Sequence, residues 1–124
     1  MGNSRFPKKE RLSRKKIIED LFNTGSSQVC FPLKVMFAPH PDAKLSSHQV
    51  LISAPVKNFK NAVDRNTIKR RIREGYRQHK HTLTTSRPLC LAYIYIAKEI
   101  LPSKTIHQAI LTSLERIRKH EKKD

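Results

Sequence analysis

The chain has 124 residues, with 26 Lys and Arg against 10 Asp and Glu, for a net charge of +16 with histidine neutral. One core usually serves about 100–200 residues, so a single domain is expected. Apolar residues make up 37%, below the usual ~45–50%, but they fall in separate blocks, which argues for a packed core and against full disorder.

The longest apolar run is Leu89–Ala97, far short of the about 20 residues that a membrane span needs. Met1–Lys16 is basic with no apolar stretch behind it, unlike a secretory signal. Phe6 stands where a myristoylation site wants Ser or Thr. Cys30 and Cys90 lie far apart, each within an apolar run. Neither has the spacing of a zinc site or a disulfide scaffold. Both read as core thiols, and a cytoplasmic location is expected.

In chain order, residues 1–12 read as a basic flexible arm. Ser13 reads as the N-cap of a first helix over about Arg14–Thr24, with Ile17, Ile18, Leu21 and Phe22 at helical spacing and Gly25 as the stop. Val29–Ala38 changes to a period of two. Val29, Phe31, Leu33, Val35 and Phe37 share a packed face, while Cys30, Pro32, Lys34, Met36 and Ala38 share a more polar, partly open one. Pro32 puts the start of that strand at an edge. Gln49–Ala54 is a second strand, and a helix follows from about Asn61 to Lys80. Leu89–Ala97 is apolar on both faces, as a central strand would be. Pro102 and Ser103 open a last helix with the apolar stripe Ile106, Ile110, Leu114 and Ile117. Its charged end, Arg116–Lys122, is expected to fray, and residues 121–124 read as a tail to a domain over 13–120. The order is α-β-β-α-β-α with room for an extra short strand near Leu45–Val56, a small two-layer α+β domain.

The strong basicity calls for a polyanion, with nucleic acid first and an anionic membrane surface second. Its patterning decides between them. Residues 57–80 hold nine basic side chains against two acids, Asp64 and Glu74. At about 100° per residue, Ile68, Ile72, Gly75, Tyr76 and His79 fall in one arc. Asn66, Lys69, Arg70, Arg73, Arg77 and Lys80 fall in the neighbouring arc, with Arg65 at the seam. One stripe can dock on a sheet while the other presents cations. A helical turn rises about 5.4 Å, close to the phosphate separation along a nucleic-acid strand. Arginine forks suit phosphate oxygens. Asp64 reads as a cap or first-turn residue.

The segment Asn61-Ala62-Val63-Asp64-Arg65-Asn66-Thr67-Ile68-Lys69-Arg70-Arg71-Ile72-Arg73-Glu74-Gly75-Tyr76-Arg77 closely resembles the signature of the bacterial ribonuclease P protein subunit. Arg11-Leu12 and the later Leu21-Phe22-x-x-Gly25 look like that family's opening, so the resemblance runs over about Arg11–Lys119. It implies an α-β-β-β-α-β-α fold on a four-stranded sheet with a left-handed β-α-β crossover. That hand is contrary to the general rule. It implies the accessory protein of an endoribonuclease whose catalytic RNA removes the 5′ leader of precursor tRNA. The partners would be the catalytic RNA and precursor tRNA, with no membrane and no obligate protein partner. The cofactor would be Mg²⁺ held mainly by the RNA, with no catalytic residue and no metal ligand in the protein. Carried over by position, Lys57, Asn61, Arg65, Asn66, Lys69, Arg70, Arg73 and Arg77 would bind RNA, and Phe22, Lys34 and Met36 would line a cleft for the leader.

The chain departs from the family pattern at several positions. Thr67 replaces an arginine, Ile18 replaces a cleft aromatic, and Pro55, Val56, Asn58 and Lys60 change the helix entry. His79 and His81 straddle the helix end and read as scattered histidines rather than metal ligands. A structural RNA-binding protein, such as a ribosomal component, is the alternative. A helix-turn-helix DNA reader lacks its partner helix and turn, since a strand and Pro55 come first.

Overall fold

A computed structural model of the chain describes residues 7–122. After a short 3-10 turn at Lys8–Glu10, the order is α1 (Lys15–Thr24), β1 (Ser26–Cys30), β2 (Leu33–Pro39), β3 (Gln49–Ser53), α2 (Ala62–His79), β4 (Leu89–Tyr95) and α3 (Ser103–Lys122). The four strands form one sheet in the order β1-β2-β4-β3. β1 and β2 are antiparallel, β2 and β4 are antiparallel, and β3 and β4 are parallel. The β-α-β unit is therefore β3–α2–β4, and β4 is central, as its two apolar faces require.

Alternation along the strands divides the core in two. On one face Leu33, Val35, Phe37, Leu91, Tyr93 and Tyr95 meet Ile68, Ile72 and Tyr76 of α2 and Ile106, Ile110, Leu114 and Ile117 of α3. Each such buried side chain contributes about 1.5–3 kcal/mol. The buried tyrosine hydroxyls are satisfied. Ser113 Oγ donates to Ile110 O at 2.7 Å, so the 3.1 Å contact between Tyr93 and Ser113 has the phenol as donor. Tyr95 donates to Glu99 O at 2.7 Å and accepts from Leu101 N at 2.9 Å. On the other face α1 covers part of the sheet, with Leu12 and Leu21 against Met36, Cys90 and Ala92. Burial pushes the Cys90 thiol up to about 11, in keeping with a packed, unreactive core group.

Four local expectations are corrected. The stretch Val29–Ala38 is not one strand but a hairpin, with Phe31-Pro32 as its two-residue turn between Cys30 and Leu33. The extra strand is thus Ser26–Cys30 rather than one near Leu45–Val56. Turn reversal breaks the period-two count, so Val29 is 58% and Phe31 64% exposed, not packed. Ser13 does not cap α1; Arg14 holds that position with no side-chain cap. The arm expected over residues 1–12 is docked from Pro7 onward, and residues 1–6 lie outside the described part. Leu12 is buried, its N–H donates to Val50 O at 3.0 Å, and Gln49 Nε2 donates to Lys9 O at 3.2 Å. The charged end of α3 stays helical through Lys122, where Arg87 pairs with the well-covered Glu121 at 3.2 Å.

Candidate nucleic-acid interface

The helix that carries the cations starts on Asn61, whose side chain accepts from Val63 N–H at 2.9 Å. Asp64 is therefore a first-turn residue, favourable to the helix dipole. Ile68, Ile72, Gly75 and Tyr76 are buried against the sheet and α3. Gly75 permits this: a Cβ there would sit 2.7 Å from Ile110 Cδ1 and 2.8 Å from His107 Cδ2. The neighbouring arc faces outward. Asn66 and Arg70 are exposed, and Lys69 and Arg73 are half-buried one turn apart.

The row is not uniform along its length. At its C-terminal end Arg77 donates to Glu74, which holds that carboxyl below its usual range. Lys80 donates to both oxygens of Glu10 at 2.9 and 3.0 Å, and the Glu10 side chain is only 7% exposed. The polar arc is free of acids in the sequence of α2, but it meets one from the next column of the helix and one from the N-terminal segment. Among the described residues, no ion pair involves Lys69 or Arg70. Arg65, at the seam, turns inward at the helix start. Its Nη1 donates to Phe59 O at 2.7 Å and to Lys60 O at 2.9 Å, fixing the loop that carries exposed Lys57 and Asn61. Arg71 also reaches a carbonyl, Leu101 O at 2.8 Å, and ties α2 to the start of α3.

The second predicted group lies on the α1 face of the sheet. Strand register places Val29, Lys34, Ile94 and Ser53 in one row across β1, β2, β4 and β3. Lys34 and Val29 are exposed and Ile94 and Ser53 half-buried, so this row is an open trough with an apolar floor and one cation. The next row, Ser27, Met36, Ala92 and Leu51, lies against α1. Met36 is only 7% exposed and belongs to the core beneath that helix, so the expectation that it lines an open cleft is corrected. Its companion Ile18 packs there too. Phe22, on α1, keeps 41% of its surface exposed. The expected leader residues thus divide into two accessible groups, Phe22 and Lys34, and one buried one.

The chain that builds this docked helix and open sheet face matches the family model described as Ribonuclease P over residues 6–120. The chain belongs to the ribonuclease P protein family. It is 32% identical over 115 residues to the ribonuclease P protein component of Porphyromonas gingivalis strain W83, covering 89% of this chain and 84% of that one. Its fold is similar to that of a Staphylococcus aureus RNase P protein mutant with defective mRNA degradation activity. There the TM-score is 0.72 at 23% identity, over 89% of this chain and 88% of that one. The RNase P protein from Thermotoga maritima aligns with a TM-score of 0.71 at 24% identity, over 86% of this chain and 96% of that one. Both bear out the mixed α+β fold with a four-stranded sheet and three helices.

One departure from the family signature has a visible structural consequence. Thr67, where an arginine was expected, donates its hydroxyl to Val63 O at 3.0 Å and so serves the helix backbone rather than adding a cation. Glu10 and its pairing with Lys80 were not legible from sequence, because a lone acid in a basic segment carries no signal of its partner 70 residues away.

Proposed function

We propose that this chain acts as the protein subunit of a ribonuclease P, gripping the catalytic RNA with the N-terminal half of α2 and the 5′ leader of precursor tRNA with the sheet trough. The observation that carries this reading is the one-sided display of α2. Its apolar stripe is fully packed, while Asn66, Lys69, Arg70 and Arg73 share the outward face. Cations spaced one turn apart can each meet a phosphate of an RNA strand, with affinity coming from counterion release. Lys57 and Asn61 extend that face past the helix start, held there through the grip of Arg65 on the preceding carbonyls. Arg77 contributes less, since it shares its charge with Glu74.

In the trough, Lys34 offers a cation and Phe22 an exposed ring for an extended strand. Stacking and phosphate pairing bind single strands with little sequence reading. The family's reaction uses Mg²⁺ to activate water for cleavage of the leader. In this reading the protein's part is to bind and orient its RNA partners, and the ion is held mainly by the RNA. No described helix is long and apolar enough to cross a membrane.

The test is precursor-tRNA cleavage by a bacterial catalytic RNA with and without the purified chain. The chain alone should not cleave. It should restore cleavage at low Mg²⁺ and raise affinity for precursor over mature tRNA. Stable co-sedimentation with ribosomal subunits and no effect on leader removal would instead identify a structural RNA-binding protein.

A further inference from the structure

We infer that Arg11, outside the helix, is a further RNA-binding residue, completing a phosphate-binding groove between the N-terminal segment, the open edge of β3 and α2. The inference rests on the reading above and adds a third wall to the site. A groove of about 380 Å³ is lined by Arg11, Leu12, Ser13, Val50–Ile52, Lys69 and Arg73. Three of these side chains are cationic and none is a carboxylate. Lys69 and Arg73 are one turn apart on α2. Arg11 reaches the same space from a different element.

The position of Arg11 is built rather than incidental. Arg11 bridges Val50 in parallel, as a one-residue extension of the sheet beyond β3. On its C-terminal side Leu12 is buried and bonded to Val50 O. On its N-terminal side Glu10 is clamped to Lys80, and Lys9 O accepts from Gln49. Gln49 is itself oriented by His40: its Oε1 accepts from His40 Nε2 at 2.8 Å, while His40 Nδ1 accepts from Asp42 N at 3.0 Å. The residues on both sides of Arg11 are thus fixed, and Arg11 itself is exposed. Val50 gives its outward edge to this segment. Ile52, two residues along, turns the same edge toward the groove. A phosphodiester lying there would meet backbone edge and cations together, an arrangement suited to an anion.

Binding of catalytic RNA to the full-length chain, measured across a series of KCl concentrations, tests this. Arg11→Gln is compared with Lys69→Ala and with Lys16→Ala, which lies on the exposed outer side of α1. Thermal melting confirms that each variant is folded, and Arg11→Lys restores the charge. Arg11→Gln should weaken binding by about tenfold and lower the salt slope by about one unit, with Arg11→Lys recovering much of both and Lys16→Ala changing little. In the reconstituted holoenzyme the ratio of precursor to mature tRNA affinity tells which strand supplies the phosphate. An unchanged ratio assigns it to the catalytic RNA. A fall in the ratio with unchanged catalytic-RNA affinity assigns it to the leader. If Arg11→Gln leaves both quantities at wild-type values while Lys69→Ala weakens binding, the groove proposal is overturned and the function of the helix stands. If the wild-type chain does not bind the catalytic RNA, the functional reading itself fails.

Discussion

Gly25 ends α1, yet its φ of −72° and ψ of 158° are open to any residue. Its N–H donates to Leu21 O at 2.9 Å. What excludes a side chain is proximity. A Cβ on Gly25 would lie 2.5 Å from Leu21 O, 2.8 Å from Leu21 Cδ1 and 3.2 Å from Phe37 O, where ordinary contact begins at 3.4 Å. The tightest of these is with backbone, so the methyl of Gly25→Ala cannot be absorbed by a rotamer change. Overpacking of this kind costs about 1–3 kcal/mol. Loss of glycine's freedom in the unfolded chain offsets about 0.4–1 kcal/mol of it. A net loss of about 1–2 kcal/mol is expected. With an unfolding entropy of roughly 2.1 cal/mol/K per residue, that lowers the melting temperature of a chain this size by about 4–8 °C. The effect should also reach function, because the α1–β1 junction sets how α1, with the exposed ring of Phe22, is held relative to the sheet. Thermal melting followed by circular dichroism measures the first effect, and affinity for leader-bearing over mature tRNA the second. An unchanged or raised melting temperature would refute the argument that close approach, rather than a left-handed turn, selects glycine here.

His48 makes the fold pH-dependent. Its Nδ1 accepts from Leu89 N at 2.9 Å and its Nε2 donates to Leu83 O at 3.2 Å, a pairing only the neutral ring can make. Burial lowers its pKa below the ordinary 6.5. The unfolded chain then binds the proton more readily, so this stabilisation is complete above pH 6.5 and lost as pH falls through the lower folded value. Melting of wild type and His48→Gln from pH 7.5 to 5 should converge toward acid, and parallel curves would count against it. Arg65→Ala should cost about 1–3 kcal/mol of stability from its two carbonyl bonds and also weaken RNA binding, whereas Arg70→Ala should weaken RNA binding with stability unchanged. Equal melting temperatures for the two variants would contradict the structural role of Arg65. Phe22→Ala should leave melting nearly unchanged while reducing leader affinity by about 1–3 kcal/mol per stacked base. An unaltered preference for precursor tRNA in a folded Phe22→Ala protein removes this ring from the site.

Periodicity alone makes three elements legible. The central strand around Leu91, the stripe from Ile106 to Ile117 and the two arcs of α2 are each set by local repeat against a large buried surface, and they stand as read. The hairpin escaped because the alternation of residue types continues through the two-residue turn while the structure switches faces there: Val29 and Phe31 fit the same sequence pattern as Leu33, yet Val29 pairs with Lys34, and Val29 and Phe31 are both exposed. The same limit governs the site. That residues 61–77 form a helix with a basic outward face follows from residue types at helical spacing, a local property. Which cations remain outward was decided by partners distant in the chain or in a different column of the helix. Glu10 holds Lys80, Glu74 takes Arg77, and the carbonyls of Phe59 and Lys60 turn Arg65 inward. Local sequence dictates which way a side chain leaves its helix. Only the packed chain determines what it meets there, because those partners come from segments that no periodicity links.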